Sequence, residues 1–124
     1  MYCTQQDVIS SQPKLAESEI DIVYSHVIGE ATEIVRDDIS SFTDIVEIEI
    51  GEVPISVKRL AVLKSRELAY RQYYAGKVPE NSEIGYNQEQ YSERLEQLRQ
   101  DARAGRVNSV LEPAGKSERF SFFA

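Results

Sequence analysis

From residue 16 to about residue 41 apolar side chains recur at steps of three and four: Ile20, Tyr24, Ile28, Ala31, Val35, Ile39 and Phe42. Val23, Val27 and Ile34 flank them, while Glu19, His26, Glu30, Glu33 and Asp37 fall on the opposite side. That spacing predicts one amphipathic helix of roughly six turns. A second helix is predicted over residues 54–75, opened by Pro54 near its first turn. Its apolar positions form three stripes (Val57, Ala61, Leu68 and Ala75; Leu60, Leu63, Tyr70 and Tyr74; Val62, Ala69 and Tyr73), so it is expected to be central and touched on several sides. A third helix is predicted from Asn87, a suitable N-cap, to Ala104, with Arg99 and Arg103 in its last turns and Gly105 as a stop.

Shorter signals fill the gaps. Thr4 followed three residues later by Asp7 has the form of a helix start, and Pro13 limits that helix to a few turns. Over residues 45–50 the period changes to two, with Val46, Ile48 and Ile50 on one side and Glu47 and Glu49 on the other. This predicts a β-strand. A strand without an internal partner must find one elsewhere, so Ile48 and Ile50 are expected at a contact with a neighbouring subunit or partner chain. Residues 76–85 read as a loop, and after Gly105 the chain becomes a tail containing Pro113, Gly115 and Ser117. The fold class expected is all-α for the most part: a small bundle of three to four helices with one short β-strand or hairpin segment and an extended C-terminal tail. A helical domain over residues 1–107 and an arm over residues 108–124 describe the organisation. The tail ends in Phe120, Phe122 and Phe123. Three large apolar groups either fold back on their own helices or dock in pockets of a partner.

The 124 residues suit one domain. No apolar run reaches the ~18 residues that cross a bilayer, and Met1-Tyr2-Cys3-Thr4 has no basic-then-apolar leader. A single cysteine, Cys3, makes no internal disulfide, and a reducing cytoplasm is the expected setting. Charge changes the picture more than composition does. Residues 1–53 carry twelve acids against Lys14 and Arg36, a net of −10. Residues 54–77 carry Lys58, Arg59, Lys64, Arg66, Arg71 and Lys77 against Glu67, a net of +5. Residues 78–124 add −2 to reach the total of −7. A pI near 4.8 argues against gripping phosphates. The asymmetry is that of a chain whose acidic part meets the basic part of another copy, with Lys58 and Arg59 as contact candidates, or of two separately solvated faces.

Catalytic chemistry has little to use. Cys3 and His26 are the only thiol and imidazole, and His26 shares an acidic helical face with Glu30, where solvated pairing is its natural role. His26, Glu30 and Glu33 face away from the apolar side, and no second histidine exists to complete a metal site. Neither a G-x-G-x-x-G nor a GK[ST] string occurs. Tyr70, Tyr73 and Tyr74 beside Arg66 and Arg71 could stack on bases, but their spacing fits core packing with hydroxyls at the surface. No catalytic, cofactor or metal role is expected.

Several strings resemble the head–tail connector proteins of Mu-like tailed phages and prophages. They are the opening Met1-Tyr2-Cys3-Thr4 with Asp7, and Val53-Pro54 leading into Val57-Lys58-Arg59-Leu60-Ala61-Val62 and Leu68-Ala69-Tyr70-Arg71-Gln72-Tyr73-Tyr74. The layout of Tyr91, Leu95 and Leu98 before Ala104-Gly105 is similar too, so the likeness covers roughly residues 1–107. It implies a small helical adaptor in the virion neck, made in the bacterial host cytoplasm. Such adaptors form a homo-oligomeric ring, typically of twelve copies, beneath the portal protein, with a tail-side neck or stopper protein below. DNA passes through the ring without specific binding, and neither a membrane nor a cofactor is involved. The physical reading is compatible, since head-to-tail ring contacts need two different complementary surfaces. The alternative from another class is a cytoplasmic helical protein-binding or regulatory module.

Overall fold

A computed structural model describes residues 1–45, 48 and 51–104. The fold is mostly helical. Its five bounded helices among the described residues are α1 (Gln5–Ile9), α2 (Pro13–Ala16), α3 (Tyr24–Ile39), α4 (Ile55–Tyr74) and α5 (Glu83–Arg103). Thr4 caps α1 as its spacing predicts: the Asp7 N–H donates to Thr4 Oγ1 at 3.3 Å, and the Thr4 N–H donates to the Asp7 carboxylate at 2.9 Å. Pro13 does follow α1, but it also opens α2 from the first position, where its missing N–H costs nothing.

Three boundaries differ from the sequence reading. The helix expected from residue 16 begins only at Tyr24. Ser18 explains the delay: its hydroxyl accepts from the Ile20 N–H at 3.1 Å, a local turn that competes with helix. Ile20 is therefore exposed, whereas Ile28, Ala31, Val35 and Ile39 are buried as their period requires. The last helix begins at Glu83, one turn before Asn87. Asn87 is a buried interior residue and no cap; its amide donates to the Glu83 carbonyl at 2.7 Å, satisfying it inside the helix.

The strand expected over residues 45–50 is the third correction. Ile45 and Ile48 have helical backbone, and the Ile48 N–H donates to the Asp44 carbonyl at 3.2 Å, the bond of a helical turn. Residues 46, 47, 49 and 50 lie outside the described residues. A short apolar run carries both periods: Ile45 and Ile48 are also three apart, and Ile48 is 1% exposed in the core. Its side chain is thus spent inside the subunit rather than displayed at a strand edge.

α4 is the central element. It packs most extensively on α5, then on α3, and also touches α1 and α2. Pro54 caps its start in extended backbone, and Ala75 and Gly76, at φ 50° and 84°, end it in the left-handed region. Its Val57, Leu60, Ala61, Ala69 and Tyr70 are almost fully buried. So is Glu67, an acid the apolar stripes do not foretell. Its carboxylate accepts from Lys64 Nζ at 2.8 Å, from Arg71 Nη2 at 3.1 Å and from Gln88 Nε2 of α5 at 3.2 Å. Lys64 Nζ also lies 4.4 Å from the centre of the Tyr91 ring, and Tyr91 donates to Asp38 of α3 at 2.5 Å. One polar network thereby joins α3, α4 and α5.

Burial pushes the Glu67 carboxyl up, but Lys64, Arg71 and Gln88 outweigh it and hold its pKa below the ordinary 4.5. The stabilisation is present above that ordinary value and is lost as pH falls through the lowered one. Glu67→Gln keeps the shape and removes the charge, leaving Lys64 without its anion. At pH 7 it should cost about 3 kcal/mol in urea unfolding, and the two proteins should converge at pH values where wild-type Glu67 is protonated.

Candidate functional site

A helix touched by four others still has an outer face. On α4 this face carries Ile55, Lys58, Arg59, Val62, Leu63 and Arg66, at steps that keep them on one side. Arg94 of α5 borders it, and together they enclose a hollow of about 340 Å³. Ile55, Val62 and Leu63 make an apolar floor under a cationic rim. A smaller hollow of about 130 Å³ shares Arg59 and Arg94 and runs on past Ser56, Gln97 and Leu98 to Asp101. The two hollows form one groove between α4 and α5, with the two arginines on the ridge between them.

The cations around the groove have different duties. Arg66 belongs to the fold: its guanidinium donates to the carbonyls of Val8 at 2.9 Å, Asp7 at 3.1 Å and Ser10 at 2.9 Å. It satisfies the end of α1, where orphaned carbonyls and the helix dipole both favour a cation. Lys58 Nζ lies 3.6 Å from the Asp7 carboxylate. The Thr4 backbone N–H, with Lys58 adding to it, holds that carboxyl below the usual carboxylate range. Arg59 and Arg94 are exposed, and among the described residues neither has a hydrogen-bond or ion-pair partner.

Tyrosines fill the last turns of α4, beyond Arg66 on nearly the same side. Tyr70 and Tyr74 stack at 6.1 Å between ring centres, and Tyr73 meets Tyr74 edge-on at 5.0 Å. Their faces are turned to one another rather than offered to bases. Tyr70 donates to Gln12 at 2.6 Å, and burial pushes its pKa up to about 12. Tyr74 donates to Glu83, and Lys14 completes a triangle with Glu83 at 2.9 Å and the Tyr74 hydroxyl at 3.2 Å. The triangle edges a polar cleft of about 560 Å³ between α2 and the start of α5.

Cys3 is buried with its sulfur 3.7 Å from Ser65 Oγ, and burial pushes its thiol pKa up. His26 stands on the exposed side of α3. No three His, Cys, Asp or Glu side chains converge on a metal position among the described residues. No described helix is long and apolar enough to cross a membrane.

Of the residues singled out from sequence, Lys58 and Arg59 line the groove and Ile48 lies in the core. Ile50, Phe120, Phe122 and Phe123 lie outside the described residues. Arg94 was not singled out; its signal is a base beside Leu95 at the edge of the narrow apolar seam of α5. Because Arg59 and Arg94 hold no hydrogen-bond or ion-pair partner among the described residues, Arg59→Ala and Arg94→Ala should each change unfolding stability by less than about 0.5 kcal/mol. Arg66→Ala, which orphans three carbonyls, should cost about 2 kcal/mol or more in the same urea titration.

No family model matches the chain, and neither does any curated protein or any solved structure.

Proposed function

We propose that this protein is a structural adaptor of a tailed-phage neck, a head–tail connector that forms a ring under the portal and joins the DNA-filled head to the tail. The observation that carries the reading is the groove between α4 and α5. It is an apolar trough bordered by two guanidinium groups that are uncommitted among the described residues, in a protein whose net charge is −7. A ring subunit needs one such surface and a different, complementary one, because head-to-tail contacts are heterologous. Exposed Glu30, Glu33 and Asp37 on α3 supply acidic surface on another element. The block that resembles the connector family, residues 54–74, is the helix that lines the groove, which supports the same reading.

In this account α3, α4 and α5 are the bundle of an adaptor domain over residues 1–107, and residues 108–124 are its arm. Phe120, Phe122 and Phe123 dock in pockets of the portal or of an adjacent subunit. The tail-side neck or stopper protein attaches below, and the acidic ring lets DNA pass without gripping it. The protein is made in the host cytoplasm and resides in the virion neck, with no catalytic step and no cofactor. The second reading, a helical regulatory module, uses the same groove to hold an acidic, apolar segment of a foreign protein.

Native mass spectrometry and electron microscopy of the full chain, alone and mixed with its portal protein, separate the two. The connector reading expects rings, free or on the portal. Rings should weaken as salt rises, because the screening length, already roughly 8–10 Å at physiological strength, shortens further. A chain that stays monomeric at every concentration and ignores the portal contradicts it.

A further inference from the structure

The subunit carries a second surface that mirrors the groove. Between α2 and α3 the chain runs without helix through residues 18–23, pinned by buried Ile22. On either side of that pin Ile20 and Val23 are 44% and 45% exposed, two large apolar side chains three residues apart at the surface. Glu19 and Asp21 alternate with them, also exposed, and neither has a hydrogen-bond or ion-pair partner among the described residues. The segment therefore offers two apolar side chains and two free carboxylates. The groove offers an apolar floor and two free guanidinium groups.

The groove and the segment share no lining residue, so a contact between them in two copies is heterologous and propagates. We infer that residues 18–23 of one copy seat in the α4–α5 groove of the next. Ile20 and Val23 lie on Ile55, Val62 and Leu63, and Glu19 and Asp21 meet Arg59 and Arg94. This rests on the self-assembly proposed above and names the surfaces that perform it.

Charge selects this occupant over others in the same chain. Residues 105–124 carry Arg106, Lys116 and Arg119 against Glu112 and Glu118, a net of +1 that the arginines repel. The outer face of α3 has the acids but lacks a pair of exposed large apolar side chains. A contact of this size falls short of the area that stable pairs bury, so one contact alone is weak. Ring closure gives every subunit two such contacts and supplies the missing affinity through effective concentration.

Reciprocal charge reversal in the full-length protein tests the assignment. Glu19→Lys with Asp21→Lys makes the segment basic, and Arg59→Glu with Arg94→Glu makes the groove acidic. Each variant alone should lose self-association by on the order of 100-fold in sedimentation velocity, since like charges now face each other. An equimolar mixture should recover assembly, because each segment then meets an oppositely charged groove. Recovery on mixing also shows that both variants are folded. If wild type assembles and both variants assemble as it does, the assignment is overturned while the adaptor reading stands. If deleting residues 105–124 abolishes assembly that the reversals leave intact, the arm is the occupant and the assignment is again overturned. A wild-type chain that never assembles, alone or on the portal, overturns the adaptor reading itself.

Discussion

A carboxylate can be buried only where donors meet it, and Glu67 sits at the middle of the helix that the other four bounded helices touch among the described residues. Lys64 and Arg71 come from its own helix at steps of three and four, and Gln88 comes from α5. Lys64 passes the connection to Tyr91, whose hydroxyl reaches Asp38 on α3. Apolar packing alone would let three helices slide on one another, because it is not directional. The Gln88 bond to that buried charge ties α5 to α4, and the Tyr91–Asp38 bond ties α5 to α3, so a shift of α5 breaks both while Lys64 and Arg71 stay with Glu67. Arg66 does the same for α1, holding the three carbonyls at its end.

That constraint also decides what remains at the surface. By sequence, residues 54–77 are a basic block of six cations and one acid. In the fold, Lys64 and Arg71 serve Glu67, Arg66 serves α1, and Lys58 leans on Asp7. Of the basic residues around the groove, Arg59 and Arg94 alone keep an uncommitted charge among the described residues, and they come from different helices. The net of +5 is therefore a poor measure of the basic surface, and two positions matter more than the sum.

The sequence made the helical class, the bounds of α4 and the buried face of α3 legible, because long apolar periods survive any arrangement of neighbours. The capping of α1 by Thr4 and Asp7 was legible for the same reason: it is local. Three features were not. Ser18 delays α3 with a side-chain turn that no period reports, and Asn87 bonds within its helix instead of capping it. Ile45 and Ile48 fit both periods, and tertiary burial chose the helical one. The groove was half legible. Arg59 stood in the basic block, but its pairing with Arg94 depends on how α4 and α5 cross.

The proposed assembly rests on the face of α4 that its core duties leave open. Zero-length carbodiimide coupling joins a carboxylate to a lysine amine in contact with it, and Lys58 borders the groove. Mixing isotopically light and heavy protein before coupling distinguishes links within a copy from links between copies. The Asp7–Lys58 pair at 3.6 Å should give a link within one copy, an internal control. The account predicts, in addition, mixed-isotope links from Glu19 or Asp21 to Lys58 whenever the protein is assembled. Assembled protein whose links at Lys58 all fall within one copy would contradict it.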